Sequence, residues 1–267
     1  MLAAAAVLAV AGAFVVARSS SLGGPARGGT VLVVCATLTT ATAGFWIGAN
    51  STSETWFGSF VRTGRRDDPR VALTFDDGPN VEATLAIRDE LDAAGVKGTF
   101  FEVGKAVVAR PDIAKALVAD GQLLGNHSYL HDDRSWLDPR YTELARAERA
   151  FRQDVGVCPA FFRPPHGRHT PFMAFVVHRH GMQMVAWDVS VGDWALHDAN
   201  LLASRVLAKV KPGSIIDLHD GLDGDLVTDR SVLVRAVPLI LDGLARKGLK
   251  PVRLDQLIGG PAYLAGC

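Results

Sequence analysis

Cysteine is scarce, with three in 267 residues, which excludes a disulfide-dense mini-scaffold and a four-cysteine zinc module. An excess of charge of either sign is missing too. Lysine and arginine total 28, aspartate and glutamate total 28, and the formal net charge is zero. With no basic surplus to release counterions from a phosphate backbone, no nucleic-acid partner is expected. Aromatics make up only 7%, a composition that fits a helix-rich α/β domain better than a β-sandwich. What is abundant is apolar residues, 48% against 21% charged, enough to exclude wholesale disorder. The length suits one large domain with an appendage, or two small domains.

The N-terminal stretch is nearly free of charge: before Val61 only Arg18, Arg27 and Glu54 are ionised. Two apolar runs fill it, Leu2 to Ala17 and Val31 to Ala49, the second diluted by Thr37, Thr39, Thr40 and Thr42. A spanning helix needs about 20 apolar residues, so the first run is short and the second marginal. Three readings compete. A helical hairpin would place Arg18 and Arg27 in a cytoplasmic loop, although Arg62, Arg65 and Arg66 pull the orientation the other way. A long signal sequence would be cleaved near Ala41-Thr42-Ala43. The third is a pair of buried core helices, against which stands the lack of an amphipathic period. Residues 1–50 are therefore expected to form a membrane-anchor or signal region, with Cys35 as a core thiol. Residues 51–69, polar and rich in Gly, Ser and charge, are expected as a linker, and residues 70–267 as the folded domain.

From Val71 short apolar runs alternate with helical stretches. Expected strands are Val71 to Phe75, Val96 to Glu102, Gln122 to Gly125, Ala160 to Arg163, Gln183 to Trp187, Ser214 to Leu218 and Lys250 to Leu254. Asp138-Pro139 reads as a helix N-cap followed by proline, with Gly156 closing that helix; Thr170-Pro171 and Gly181 bracket the next. Gly95, Gly121 and Gly248 sit where C-terminal caps are needed, and Pro238 predicts a kink or break in the last long helix. Apolar strands alternating with helices imply a covered parallel sheet. Seven units point to a distorted (β/α)7 barrel, in which chemistry belongs at the C-terminal ends of strands.

Polar residues collect at those ends. The first strand runs into Asp76-Asp77-Gly78-Pro79, the third into His127-Ser128-Tyr129-Leu130-His131, and the fourth into Arg163-Pro164-Pro165-His166-Gly167. The fifth leads to Asp193-Trp194 and the sixth to His219-Asp220-Gly221. Each piece alone is weak: an acidic pair before Gly-Pro suits a capping loop, and an HxxxH is commonly a surface helix pair. Together they respect a boundary that a random scatter would not. Two imidazoles and a carboxylate make an open metal site, with three protein ligands and a position for water.

In these motifs, spread from Arg70 to Leu257, the chain resembles the polysaccharide deacetylases of carbohydrate esterase family 4, the NodB-homology domain. The resemblance implies a distorted (β/α)7 barrel and a metal-dependent N-deacetylase acting on N-acetylglucosamine residues of peptidoglycan or chitin-like oligomers. It implies that Asp77, His127 and His131 hold a divalent ion, usually zinc, with cobalt, manganese or nickel as alternatives. Asp76 matches the general base, Arg163 the arginine that orients it, His219 the general acid and Asp193 the carboxylate that keeps it cationic. The backbone N–H of His166, after Pro165, matches an oxyanion donor, and Trp194 a wall of the acetyl pocket. It also implies a polysaccharide partner, a monomer, and a site of action in the bacterial envelope, membrane-anchored or secreted.

The chain departs from the family pattern at three positions. Asp217 stands where leucine is usual in the acyl pocket; alternation puts it on the face of His219. Either it makes the pocket more polar and alters acyl preference, or it pairs with an arginine and leaves the pocket ordinary. His166 replaces a common tyrosine, and Ser190 replaces a common aspartate. Elsewhere, His178 and His180 read as helix-end solvation, and His169 and His197 as surface residues. Trp136 and Tyr129 are open to sugar stacking or to packing. Cys158 and Cys267 can pair in an oxidising compartment, though the terminal place of Cys267 argues for mobility. The rival functions are an O-deacetylase on acetylated xylan, a two-metal phosphoesterase and a non-catalytic wall-binding module.

Overall fold

A computed structural model of the chain describes residues 24–267, so the first apolar run lies outside the described residues. The chain divides into two units, Met1–Ser51 and Thr52–Cys267. In the first, α1 spans Gly24–Asn50. The hydroxyls of Thr37, Thr39, Thr40 and Thr42 each donate to the carbonyl four residues back at 2.8 Å, which satisfies them within the helix. Among the described residues no helix is long and apolar enough to cross a membrane. Cys35, expected in a core, is exposed on α1.

The second unit is an eight-stranded sheet with helices between the strands. Its strands are β1 (Arg70–Asp76), β2 (Thr99–Glu102), β3 (Leu123–Asn126), β4 (Phe161–Phe162), β5 (Gln183–Met184), β6 (Val189–Ser190), β7 (Ile215–His219) and β8 (Lys250–Pro251). Its helices are α2 (Ala83–Ala93), α3 (Gly104–Ala109), α4 (Pro111–Ala119), α5 (Thr142–Ala150), α6 (Pro171–Arg179), α7 (Ala199–Lys209), α8 (Ser231–Arg246) and α9 (Leu254–Ile258). The strand order is β5-β4-β3-β2-β1-β7-β6, with β8 added to β1, and every pairing is parallel. The two ends of that order, β5 and β6, are joined by residues 185–188 alone, a reach of at most about 18 Å. The sheet therefore curls until its edges come close without pairing, a distorted (β/α) barrel with a seam. β6 is the strand that sequence patterning did not separate from β5, because only two residues pair there. The expected strand at Lys250 to Leu254 pairs only through Pro251, since Leu254 begins α9.

Burial explains the strand composition. Val71, Ala72, Leu73 and Phe75 of β1 and Ile215, Ile216 and Leu218 of β7 are all within 1% of complete burial. Helix α8 turns Leu233, Ala236, Val237, Ile240, Leu241 and Leu244 inward, the 3.6-residue period of a core-facing helix. That continuous apolar face carries α8 unbroken through Pro238, where a break was expected. Helix α5 begins at Thr142 rather than at Pro139. The Asp138 carboxylate accepts from the N–H of Arg140 at 3.0 Å and the hydroxyl of Thr142 at 3.2 Å, closing a turn before the helix.

The segment expected as a linker is built into the rim of the sheet. Val61 bridges Val185, Thr63 bridges Ser214, and the Gly64 N–H donates to the Gly213 carbonyl at 2.8 Å. Pairing thus begins at Val61 rather than at Arg70. Phe57 and Phe60 meet the His169 ring edge-on at 6.2 and 4.6 Å, so His169 is fully buried and not at the surface. His180 also departs from expectation, its Nδ1 lying 2.5 Å from the buried Glu148 carboxylate. Trp136 is buried and donates to the Asp133 carbonyl at 2.9 Å, and the Arg146 guanidinium sits 4.0 Å over the Tyr129 ring. Both aromatics are packing residues.

Candidate active site

The strands end on one rim, and their register lines up the residues at and beyond those ends. Asp76 of β1 pairs with His219 of β7, and Thr74 with Asp217. On the far side of β1, β3 and β4 run out into His127 and Arg163. The loops beyond are held in unusual conformations. Asp77, Ser128, His131, His166 and Asp223 all have positive φ, between 51° and 78°, each a strain of roughly 1–3 kcal/mol for a residue other than glycine. Side-chain acceptors fix the loop after β3: Asn126 Oδ1 takes the Ser128 N–H at 2.9 Å and Ser128 Oγ takes the His131 N–H at 3.1 Å.

Asp77 Oδ1 lies 3.0 Å from His131 Nε2 and 3.3 Å from His127 Nε2. This carboxylate oxygen is buried and accepts no hydrogen bond. His127 Nδ1 stands 2.7 Å from the Arg163 carbonyl oxygen. A carbonyl only accepts, so Nδ1 carries the proton and the Nε2 lone pair faces Asp77. Two nitrogens and a bare carboxylate oxygen converging in a buried pocket are the donor set of a divalent cation, with the histidine's second nitrogen anchored as metal-bound imidazoles require. The residues fit such an ion. Asp223, which sequence reasoning missed, places Oδ1 2.8 Å from His131 Nδ1.

Asp76 Oδ2 lies 3.7 Å from His127 Nε2, and its Oδ1 accepts from Arg163 Nη1 at 2.7 Å. The same Nη1 reaches Thr74 Oγ1 at 2.8 Å and Asp217 Oδ1 at 3.2 Å. Arg163 is fully buried, its guanidinium stacked 4.2 Å from the Phe101 ring. Asp217 is therefore paired with an arginine, as the second expectation had it, but the pairing alone does not make the acyl pocket ordinary. Burial, with Asp76 adding to it, raises Asp217 to about 7 against the opposing pull of His219 and Arg163.

On the neighbouring strand β7, His219 Nδ1 lies 2.8 Å from Asp193 Oδ1. Asp193 Oδ2 accepts the His219 N–H at 3.1 Å and is paired with Arg230, whose Nε donates to the His219 carbonyl at 2.7 Å. Burial disfavours the imidazolium, yet Asp217 and Asp193 outweigh it and raise His219 to about 10. Trp194, half exposed, meets the His219 ring edge-on at 4.7 Å. Pro165 is buried beneath His166, whose ring lies 4.8 Å from that of His131 and whose Nε2 is 3.1 Å from Asp133 Oδ1. Every site residue expected from the sequence thus gathers on one rim. Arg230 was missed because nothing local marks it; it comes after His219 through a polar loop and acts on Asp193 from there. Glu102 was missed as well, and Asp220, named at the sixth strand end, was given no role. Both are fully buried behind the Asp76-Asp77 turn, where a Cβ on Gly78 would strike both carboxylates. Burial raises each, Asp220 to about 7 with Asp77 and Asp76 adding to it, and Glu102 well above the usual range with Asp220 adding to it. A carboxylate ending an otherwise apolar strand was the available signal for Glu102.

Comparison with known proteins bears on this arrangement. Residues 63–185 match the family model described as polysaccharide deacetylase. A chitooligosaccharide deacetylase of Bradyrhizobium sp. is 35% identical over 196 residues, covering 70% of this chain and 90% of that one. A peptidoglycan-N-acetylglucosamine deacetylase of Bacillus cereus is 30% identical over 201 residues, covering 74% and 72%. The crystal structure of a peptidoglycan N-acetylglucosamine deacetylase in complex with 4-naphthalen-1-yl-N-oxidanyl-benzamide superposes with a TM-score of 0.70 at 30% identity, covering 77% of this chain and 95% of that one. The chain belongs to the polysaccharide deacetylases, carbohydrate esterase family 4.

Proposed function

We propose that the protein is a hydrolase that removes N-acetyl groups from N-acetylglucosamine residues of peptidoglycan or chitin-like oligomers. The observation that carries the reading is the facing of two unlike groups. Asp76 stands beside the Asp77, His127 and His131 pocket, and the cationic His219 stands next to it on the neighbouring strand, one ligand atom of each within 4.8 Å of the other. A divalent ion in that pocket, zinc by the His₂Asp donor set, would acidify water and polarise the acyl carbonyl. Asp76 takes a proton from the attacking water, and Arg163 holds the Asp76 carboxylate in place. The backbone N–H of His166 stabilises the charge that develops on the carbonyl oxygen. His219 gives its proton to the departing nitrogen, which leaves as an amine rather than an amide anion. Asp193, held by Arg230, keeps the imidazole protonated until then, and Trp194 walls the acyl group.

The relatives' substrates lie in cell walls or are chitin oligomers, and a Cys158–Cys267 disulfide is the mark of an oxidising compartment. Both support an extracytoplasmic site of action; an apolar N-terminal segment serving as anchor or signal and a monomeric catalytic unit are part of the same proposal. The test is acetate release by the purified full chain from chitooligosaccharides, peptidoglycan and acetylxylan, with chelator and with zinc restored. Acetate from the first two, abolished by chelator, is expected. Release from acetylxylan alone would make the enzyme an O-deacetylase.

A further inference from the structure

Asp217 touches no reacting atom in the proposed reaction, although its charge helps to hold His219 protonated, and it lies close to both groups that do. It lies on β7 between Thr74 and Ser190 of the neighbouring strands, with 2% of its surface accessible. Its Oδ1 is 3.2 Å from Arg163 Nη1, and one ligand atom from each of Asp76, Asp217 and His219 lies within 4.8 Å of the others. In the deacylation, Asp76 serves the water and His219 the leaving nitrogen, so the reacting carbon stands between them. A side chain within reach of both borders the space of that carbon's remaining substituent, the acyl chain.

The chemistry of that space is unusual for a methyl group. A methyl would set hydrocarbon against a buried carboxylate and offer it no hydrogen bond. A cationic acyl chain would meet Arg163 and the protonated His219. A neutral donor one carbon from the carbonyl meets neither objection: Asp217 Oδ1 serves Arg163, and the carboxylate keeps accepting capacity for a hydroxyl. We propose that Asp217 sets acyl specificity, favouring an amino sugar bearing an N-hydroxyacetyl (glycolyl) group over one bearing N-acetyl. The proposal rests on the deacylase reading. The step is a plain hydrolysis: water oxygen bonds to the acyl carbon, the C–N bond breaks with its electron pair on nitrogen, and that nitrogen takes the His219 proton. The acyl hydroxyl is unchanged and glycolate is released.

The test measures kcat/KM for glycolate and acetate release from two chitooligosaccharides that differ only in the N-acyl group, using the full chain with zinc restored. Wild type should favour the glycolyl substrate by roughly tenfold or more, as for a hydrogen bond to a charged acceptor. Asp217→Leu should reverse the preference, and Asp217→Asn, which keeps an acceptor oxygen, should retain part of it. A wild-type preference for acetyl overturns the proposal without need of any variant, as does an unchanged ratio in Asp217→Leu. Acetate release without the glycolyl preference sinks this proposal alone, whereas no release of either acid by wild type sinks the deacylase reading along with it.

Discussion

Around Asp77 the cleft gathers donors that do not satisfy one another, while around His219 it gathers charges that do. Asp77 Oδ1 faces two imidazole nitrogens and accepts no hydrogen bond. Asp193, equally buried, is saturated by the ring and backbone N–H of His219 and by Arg230. Two buried carboxylates on one rim thus obey opposite rules. The first is a charge left open for a cation, since an unpaired buried carboxylate is otherwise expensive. The second is a closed network that stabilises an imidazolium. The two sides can therefore fail separately, and single substitutions should pull them apart.

The largest effect is expected on the open side. Asp77→Ala should abolish zinc binding, measured by metal analysis after dialysis, and reduce acetate release to background. The thermal melt of the chelated protein should change little or rise, because a strained and unpaired carboxylate is gone. Retained metal at full stoichiometry would break the assignment of that pocket.

A smaller effect is expected on the closed side. Asp193→Asn removes the hydrogen-bonded charge that helps raise His219 to about 10. The sign is plain: without the carboxylate the imidazolium is less favoured, its pKa falls, and the alkaline limb of kcat/KM moves to lower pH by at least about one unit. Because the folded-state pKa of His219 is raised, its stabilising contribution is present below the ordinary value near 6.5. It fades as pH rises through about 10, and in the variant that fading should begin earlier. Zinc content should stay at the wild-type level. A loss of metal together with the pH shift would show the two sides to be one network, joined through Asp217 and Arg163.

How much of this could be read without coordinates depends on chain distance. Asp76 with Asp77, and His127 with His131, are near neighbours in sequence. Short apolar strands deliver them to one rim, so alternation and strand count were enough. Asp193 and His219 were legible for the same reason, each lying close to the end of a strand. Arg230 was not, because it reaches Asp193 from the loop before α8, and no local pattern fixes where such a loop runs. His169 was misread because its burial is supplied by Phe57 and Phe60, in a segment whose polar composition spoke for a linker. Pro238 was misread because the apolar face of α8 outweighs the lost hydrogen bond, about 3 kcal/mol in an isolated helix.

The smallest effect on catalysis is expected farthest from the rim. Cys158 precedes β4, whereas Arg163 comes after it, so the disulfide to Cys267 lies toward the opposite end of the barrel. There the C-terminal tail is held twice more: Pro159 bridges Tyr263, and the Leu264 N–H donates to the Cys158 carbonyl at 2.8 Å. The bond closes a loop with a sequence separation of 109, long enough to restrict the unfolded chain substantially. Cys267→Ser should therefore lower unfolding stability by about 2–4 kcal/mol, read from urea melts with and without reductant. Its kcat and zinc content should match wild type, because the tail's contacts, to Cys158, Pro159 and the Leu124 N–H, lie away from the strand-end loops. A fall in kcat with the pH profile unchanged would mean that the tail reaches the Asp77 side through β3, where Tyr263 Oη accepts the Leu124 N–H at 3.1 Å. A shifted alkaline limb would instead trace the effect to the His219 side.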